Sequence, residues 1–143
     1  MRGVWTVEAG MPRPLTNRPV FDLRGRHIGT PDLLDPVAGV AGEYDSALHL
    51  DRARRRRYVE REDAYRRVGL EPVVMVTGDL VDARQFIGRL RTAYARAAGT
   101  RVADRRWTIE YPDWWSPTET VELRRALTEG QRDRWLAYRR RAG

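Results

Sequence analysis

Short runs of apolar residues, spaced at strand length and broken by Gly and Pro, fill the first third of this chain. Trp5, Val7 and Glu8 fit a short helix ending at Gly10, and Pro12 and Pro14 bar its continuation. Residues 17–23 (NRPVFDL) read as a first strand, closed by an Arg24-Gly25-Arg26 turn. Residues 27–35 (HIGTPDLLD) read as a second, with Pro31 marking an edge or a bulge. Pro36 to Gly39 makes a turn, and Val40 to Tyr44 a third strand.

The period then changes. From Leu50 to Val68 the spacing predicts a helix, with Asp51 at its start, Gly69 at its stop and Tyr58, Tyr65 and Val68 on one face. Residues 72–77 (PVVMVT) form an apolar run of strand length, as expected of a buried central strand, and Gly78-Asp79 breaks it. Residues 81–98 predict an amphipathic helix with Phe86, Ile87, Leu90 and Tyr94 as its stripe. Beyond an aromatic segment, residues 107–115 (WTIEYPDWW), Ser116-Pro117-Thr118-Glu119 has the form of a capping box and predicts a helix running to about Arg139. The order is helix, three strands, helix, strand, helix and an appendage. It predicts an α/β (α+β) protein with the first three strands as a meander in a mixed sheet and helices against it. The core is expected over residues 1–99, with 100–143 packed on it.

Composition narrows the chemistry. The 143 residues suit one domain, and no apolar run approaches the length that crosses a bilayer. The opening MRGVWTVEAG lacks the apolar stretch of a signal peptide, so a cytoplasmic protein without a membrane partner is expected. There is no Cys and only His27 and His49, which excludes thiolate and His-rich metal sites. The net charge is +7, and all 27 basic residues are arginine. That bias fits a phosphate-bearing partner, because a guanidinium pairs with phosphate bidentately, and it equally fits a GC-rich genome.

Carboxylates supply the most specific candidate. In a symmetric hairpin about residues 36–39, Asp35 faces Val40, Leu34 faces Ala41, Leu33 faces Gly42 and Asp32 faces Glu43. Like charges so opposed are destabilising unless a proton or a cation lies between them. Mg²⁺ commonly uses one or two carboxylates with substrate phosphates. If the strand extends, Asp45 shares Glu43's face. A one-residue slip would separate the pair, and spacing alone leaves open that these are solvent-facing acids beside a turn.

Asp32, Glu43-Tyr44-Asp45, His49 and the arginine-rich helix together resemble the PD-(D/E)XK restriction-endonuclease-like superfamily. The longer string GRHIGTPDLLDPVAGVAGEYDSALH is similar to an actinobacterial group whose pattern is N-x-x-V-x-D, G-x-x-x-G-x-P-D-L-L-D and E-Y-D-G-x-x-H. Asn17, Val20 and Asp22 fit its upstream part, and Ser46 departs from its glycine. That group resembles very-short-patch-repair-type endonucleases and nuclease-like domains associated with AbiEi-type antitoxins. The resemblance spans roughly residues 8 to 98.

It implies a restriction-endonuclease-like core and Mg²⁺- or Mn²⁺-dependent hydrolysis of DNA, of repair or defence type, with RNA and a homodimer left open. Asp32 and Glu43 would be the metal ligands, Asp45 would stand at the superfamily's lysine position, and His49 would serve as base or phosphate contact. Glu8 would be an accessory acid. Arg54, Arg55, Arg56 and Arg57 would suit phosphate-backbone contacts. The alternatives are an inactive nucleic-acid-binding module and a toxin–antitoxin interaction module. Trp107, Trp114 and Trp115 read as anchors of the C-terminal segment, with base stacking as the alternative. His27 reads as a strand residue without chemistry.

Overall fold

Pro31 divides the stretch expected as one strand. In the computed structural model, which describes residues 1–45, 52–118 and 120–142 without the side chains of 52–55, 57, 58 and 139–142, His27–Gly29 forms β3 and Leu33–Asp35 forms β4. A proline has no N–H for a ladder and restricts the residue before it, so the chain turns at Pro31 and changes sheets. β3 pairs antiparallel with β2, Val20–Asp22, across the turn at Gly25, whose φ is +78°. β4 instead pairs with β1, Leu15–Thr16, and with β5, Val40–Asp45. The expected meander is therefore two hairpins in two sheets.

The larger sheet has the order β1-β4-β5-β6, and β6, Glu71–Val76, runs parallel to β5. The smaller has the order β3-β2-β7, with β7 at Trp107–Thr108. The chain is thus mixed α and β around a mixed sheet. Helix α1, Arg52–Arg67, makes the crossover from β5 to β6 and ends before Gly69, whose φ of +84° is the left-handed stop the sequence predicts. Helix α2, Arg84–Ala98, follows a 3₁₀ turn at Thr77–Leu80.

Alternation along β4 and β5 separates two cores. On one face Leu33 and Val40 meet Trp5, Phe86 and Leu90, which brings in α2 and a π-helical turn at Val4–Glu8. On the other, Leu34 and Ala41 meet Val20, Tyr65 and Leu70. Gly42 permits the first packing: a Cβ there would sit 2.7 Å from the Trp5 ring.

Contacts divide the chain into two compact units, Met1–Glu110 and Tyr111–Gly143. The first extends past the expected limit at 99 because β7 pairs with β2, and because Arg18 donates to the Ile109 carbonyl at 2.9 Å. In the second, the expected single helix is two. Thr120, not Ser116, caps α3, Val121–Arg125, by accepting from the Leu123 N–H. Thr128 and Gln131 cap each other reciprocally at the start of α4, Glu129–Ala142. That second box, Thr128-Glu129-Gly130-Gln131, ends the continuity the first suggests. Within this unit Trp114, Trp115 and Tyr138 pack with ring centroids 5.4–6.2 Å apart. Among the described residues, no helix is long and apolar enough to cross a membrane.

β6 is an edge strand and not the central one its apolar run predicts. The Glu71 N–H donates to Gly39, so Pro72, Val74 and Val76 present their backbone outward. That edge is blunted three ways. Pro72 has no N–H, Arg89 donates to the Val74 carbonyl, and buried Asp79 accepts from the Val76 N–H at 2.7 Å while pairing with Arg89. Asp79→Ala should cost about 1–3 kcal/mol in urea unfolding, by stranding a partly buried N–H, and should increase self-association on gel filtration. An unchanged midpoint and a monomeric elution would contradict this role.

Candidate functional site

The β4–β5 turn sets the geometry. Asp35 is buried, and its Oδ1 accepts from the Val37 and Ala38 N–H groups at 2.9 Å each. Its Oδ2 accepts from the Tyr94 hydroxyl of α2 at 2.7 Å. Arg105 donates to the Pro36 and Ala38 carbonyls from the other side, and Gly39 takes φ +80°. The resulting register is Asp35 with Val40, Leu34 with Ala41 and Leu33 with Gly42. Over these three pairs it is the symmetric register expected from the sequence, and Asp32, just before β4, lies near enough to Glu43 for its charge to act on that carboxyl.

The two acids differ in environment. Asp32 is exposed, and its Oδ2 accepts from the Tyr44 N–H at 2.8 Å, taking over a backbone donor just before β4 begins. Its Oδ1 has no hydrogen-bond partner among the described residues. Glu43 is only 8% exposed. Its Oε1 accepts from the Tyr65 hydroxyl at 3.1 Å and its Oε2 from Arg61 at 2.9 Å. Arg61 and Tyr65 lie one turn apart on α1, so one helix face delivers both donors. Burial raises the Glu43 carboxyl above its ordinary range; the charge of Arg61 and the Tyr65 hydrogen bond oppose this, and the charge of Asp32 adds to it. Burial, then the neighbouring Glu43 charge, pushes the Tyr65 phenol far upward, so it stays a donor.

Two residues of β3 complete the surroundings. The Tyr65 hydroxyl occupies the space a side chain at Gly29 would need, 2.4 Å from where a Cβ would stand. His27, on the same strand β3, lies 3.0 Å through Nε2 from the Thr30 hydroxyl. Burial holds its imidazole down at about 4, with a Gly29 backbone hydrogen bond opposing and the Arg61 charge adding, so it is neutral at neutral pH.

The other expected site residues are placed as follows. β5 runs through Asp45, which therefore shares Glu43's face by alternation. Glu8 is exposed on the π-helical turn, whose Trp5 packs on the opposite face of the sheet. Arg56 is exposed and paired with Glu60 at 3.0 Å. Arg54, Arg55 and Arg57 lie in α1 with side chains outside the described set, and His49 lies outside the described residues altogether. Among the described residues, no three Asp, Glu or His side chains gather as a metal cluster.

Arg61, Tyr65 and Gly29 have no site role in the sequence reading, and His27 reads there as a strand residue without chemistry. Tyr65 carried a usable signal: a Tyr on an apolar helix face needs a partner for its hydroxyl. Arg61, one turn before it, was hidden among the many arginines of α1.

Asp32 and Glu43 are the two carboxylates here that could hold a cation, since Mg²⁺ commonly uses one or two. A carboxylate has roughly four acceptor sites, so Glu43 keeps lone pairs beyond the two its protein partners use, and Asp32 offers Oδ1. Comparison with protein-family models, with curated proteins and with solved structures gives no significant match. The site's reading therefore rests on its own geometry and on the sequence resemblance.

Gly29→Ala should displace Tyr65 from Glu43, because the added methyl takes the hydroxyl's position. The expected cost is about 1–3 kcal/mol in urea unfolding, with part of it recovered in Gly29→Ala/Tyr65→Phe, where the hydroxyl is gone. Additive losses in the double variant would contradict the steric coupling.

Proposed function

We propose that this chain is a divalent-metal-dependent nuclease with a restriction-endonuclease-like core, hydrolysing phosphodiester bonds in DNA at the Asp32–Glu43 pair. One observation carries the reading: a buried glutamate held beside a second carboxylate, with a cation and a phenol aimed at it. Structure alone seldom keeps like charges together at such cost, whereas metal and phosphate chemistry uses them. Asp32 and Glu43 would hold Mg²⁺ or Mn²⁺, which when bound polarises the phosphoryl oxygen and acidifies a water. Arg61 would meet the charge that develops on phosphate, and Tyr65 would keep Glu43 oriented. His49 and Asp45 keep the roles the resemblance implies, His49 as base or phosphate contact and Asp45 at the superfamily's lysine position.

A second reading has its own support. Arg61 and Tyr65 already neutralise and hydrogen-bond Glu43, which suits an inactive module that binds nucleic acid without metal.

Supercoiled plasmid and duplex oligonucleotide incubated with the protein in Mg²⁺, Mn²⁺ or EDTA separate the two. Hydrolysis is expected with metal and absent in EDTA. Asp32→Asn and Glu43→Gln should each slow it by at least about 100-fold, the upper figure for outer-shell metal partners. Binding without cleavage in any metal would favour the inactive module, and no binding at all would favour the protein-interaction role.

A further inference from the structure

Away from the acid pair, the first unit carries an open groove of about 730 Å³ between the β2–β3 hairpin and α1. Its charged lining is Arg24 and Arg26 from the hairpin, Arg67 from α1, Arg106 from the approach to β7, and Asp22. Arg26 pairs with Asp22 at 3.2 Å, and two backbone N–H groups also hold that carboxylate. Asp22 is thereby satisfied locally. Four guanidinium groups against one carboxylate leave an excess of three positive charges. Arg24, Arg67 and Arg106 are exposed and have no ionic partner among the described residues. They come from three separate segments, and the fold alone brings them together. Ile28 and Val68 give the groove an apolar floor.

We infer that this groove seats the sugar–phosphate backbone of a nucleic-acid strand, with Arg24, Arg67 and Arg106 on consecutive phosphates and the apolar floor under the sugars. The inference rests on the nucleic-acid part of the reading above and not on catalysis. Guanidinium groups grip phosphate oxygens bidentately, and such contacts position a strand without reading its sequence. A concave groove with cations at its rim suits a chain that lies in it; a membrane surface needs cations on a protruding face. Neither of Glu43's hydrogen-bond partners, Arg61 and Tyr65, lines the groove, so strand binding and metal chemistry are separable.

The test is fluorescence anisotropy of a labelled 20-nucleotide single strand and its duplex in EDTA, titrated from low to high KCl. The combined variant Arg24→Ala/Arg67→Ala/Arg106→Ala is compared with Arg2→Ala/Arg13→Ala/Arg91→Ala, which removes the same charge from exposed positions elsewhere. Expected for the groove variant is a loss of about tenfold or more at 0.1 M KCl, with the log–log salt slope smaller by about 2–3, as three phosphate contacts require. The control should lose less than about threefold. Equal losses in the two variants, unchanged binding in the groove variant, or no binding by the wild type would overturn the inference. So would displacement of the strand by polyglutamate at equal charge, which would make the groove a site for acidic protein. Groove-dependent binding with no cleavage in any metal would overturn the catalytic reading and leave this one standing.

Discussion

The buried carboxylate of Asp35 is the constraint on which the site depends. It closes the β4–β5 turn by accepting two backbone N–H groups, and it ties the turn to α2 through the Tyr94 hydroxyl. Arg105 secures the same turn from outside. A turn held at so many points leaves the hairpin one register. Because side chains alternate with period two, that register decides whether Asp32 and Glu43 share a face or point apart. A buried residue of the turn thus sets which acids share a face.

Packing on the two faces of the sheet then gives the acids unlike surroundings. The Trp5 and α2 face is apolar and fixes β5 from behind, through the close approach at Gly42. On the α1 face Tyr65 fills the space left by Gly29, and its hydroxyl ends against Glu43. The ion pair of Glu43 with half-exposed Arg61 offsets only part of the burial cost, which is why the carboxyl's proton affinity stays raised. Exposed Asp32 incurs no such cost. One acid is therefore buried with its proton affinity raised, and the other faces solvent.

Much of this was legible in the chain and some was not. Local signals succeeded: Gly69 ends α1, Gly39 turns the hairpin, and its pairing follows from a short symmetric loop. Pro31 was visible as an interruption, yet its consequence, a change of sheet, depends on what β3 and β4 each find to pair with. The apolar run of β6 read as central because edge protection by Asp79 and Arg89 comes from residues further along the chain. The C-terminal stretch divides because Thr120 caps one helix and a separate Thr128–Gln131 box starts another. Arg61 and the groove arginines are illegible in a chain whose only basic residues, histidines aside, are arginines, since only the fold picks out those that converge.

The most direct measurement is a ¹³C NMR titration of the Glu43 side-chain carboxyl in the wild type and in Asp32→Asn. Burial predicts a wild-type midpoint above the ordinary 4.5, and the adjacent Asp32 charge predicts that its removal lowers the midpoint. The sign carries over to stability. A raised midpoint means the folded state holds the proton more tightly, so Glu43's favourable contribution is full below 4.5 and is lost as pH rises through the folded midpoint. A Glu43 midpoint that does not move in Asp32→Asn would show that the two carboxylates do not share a site.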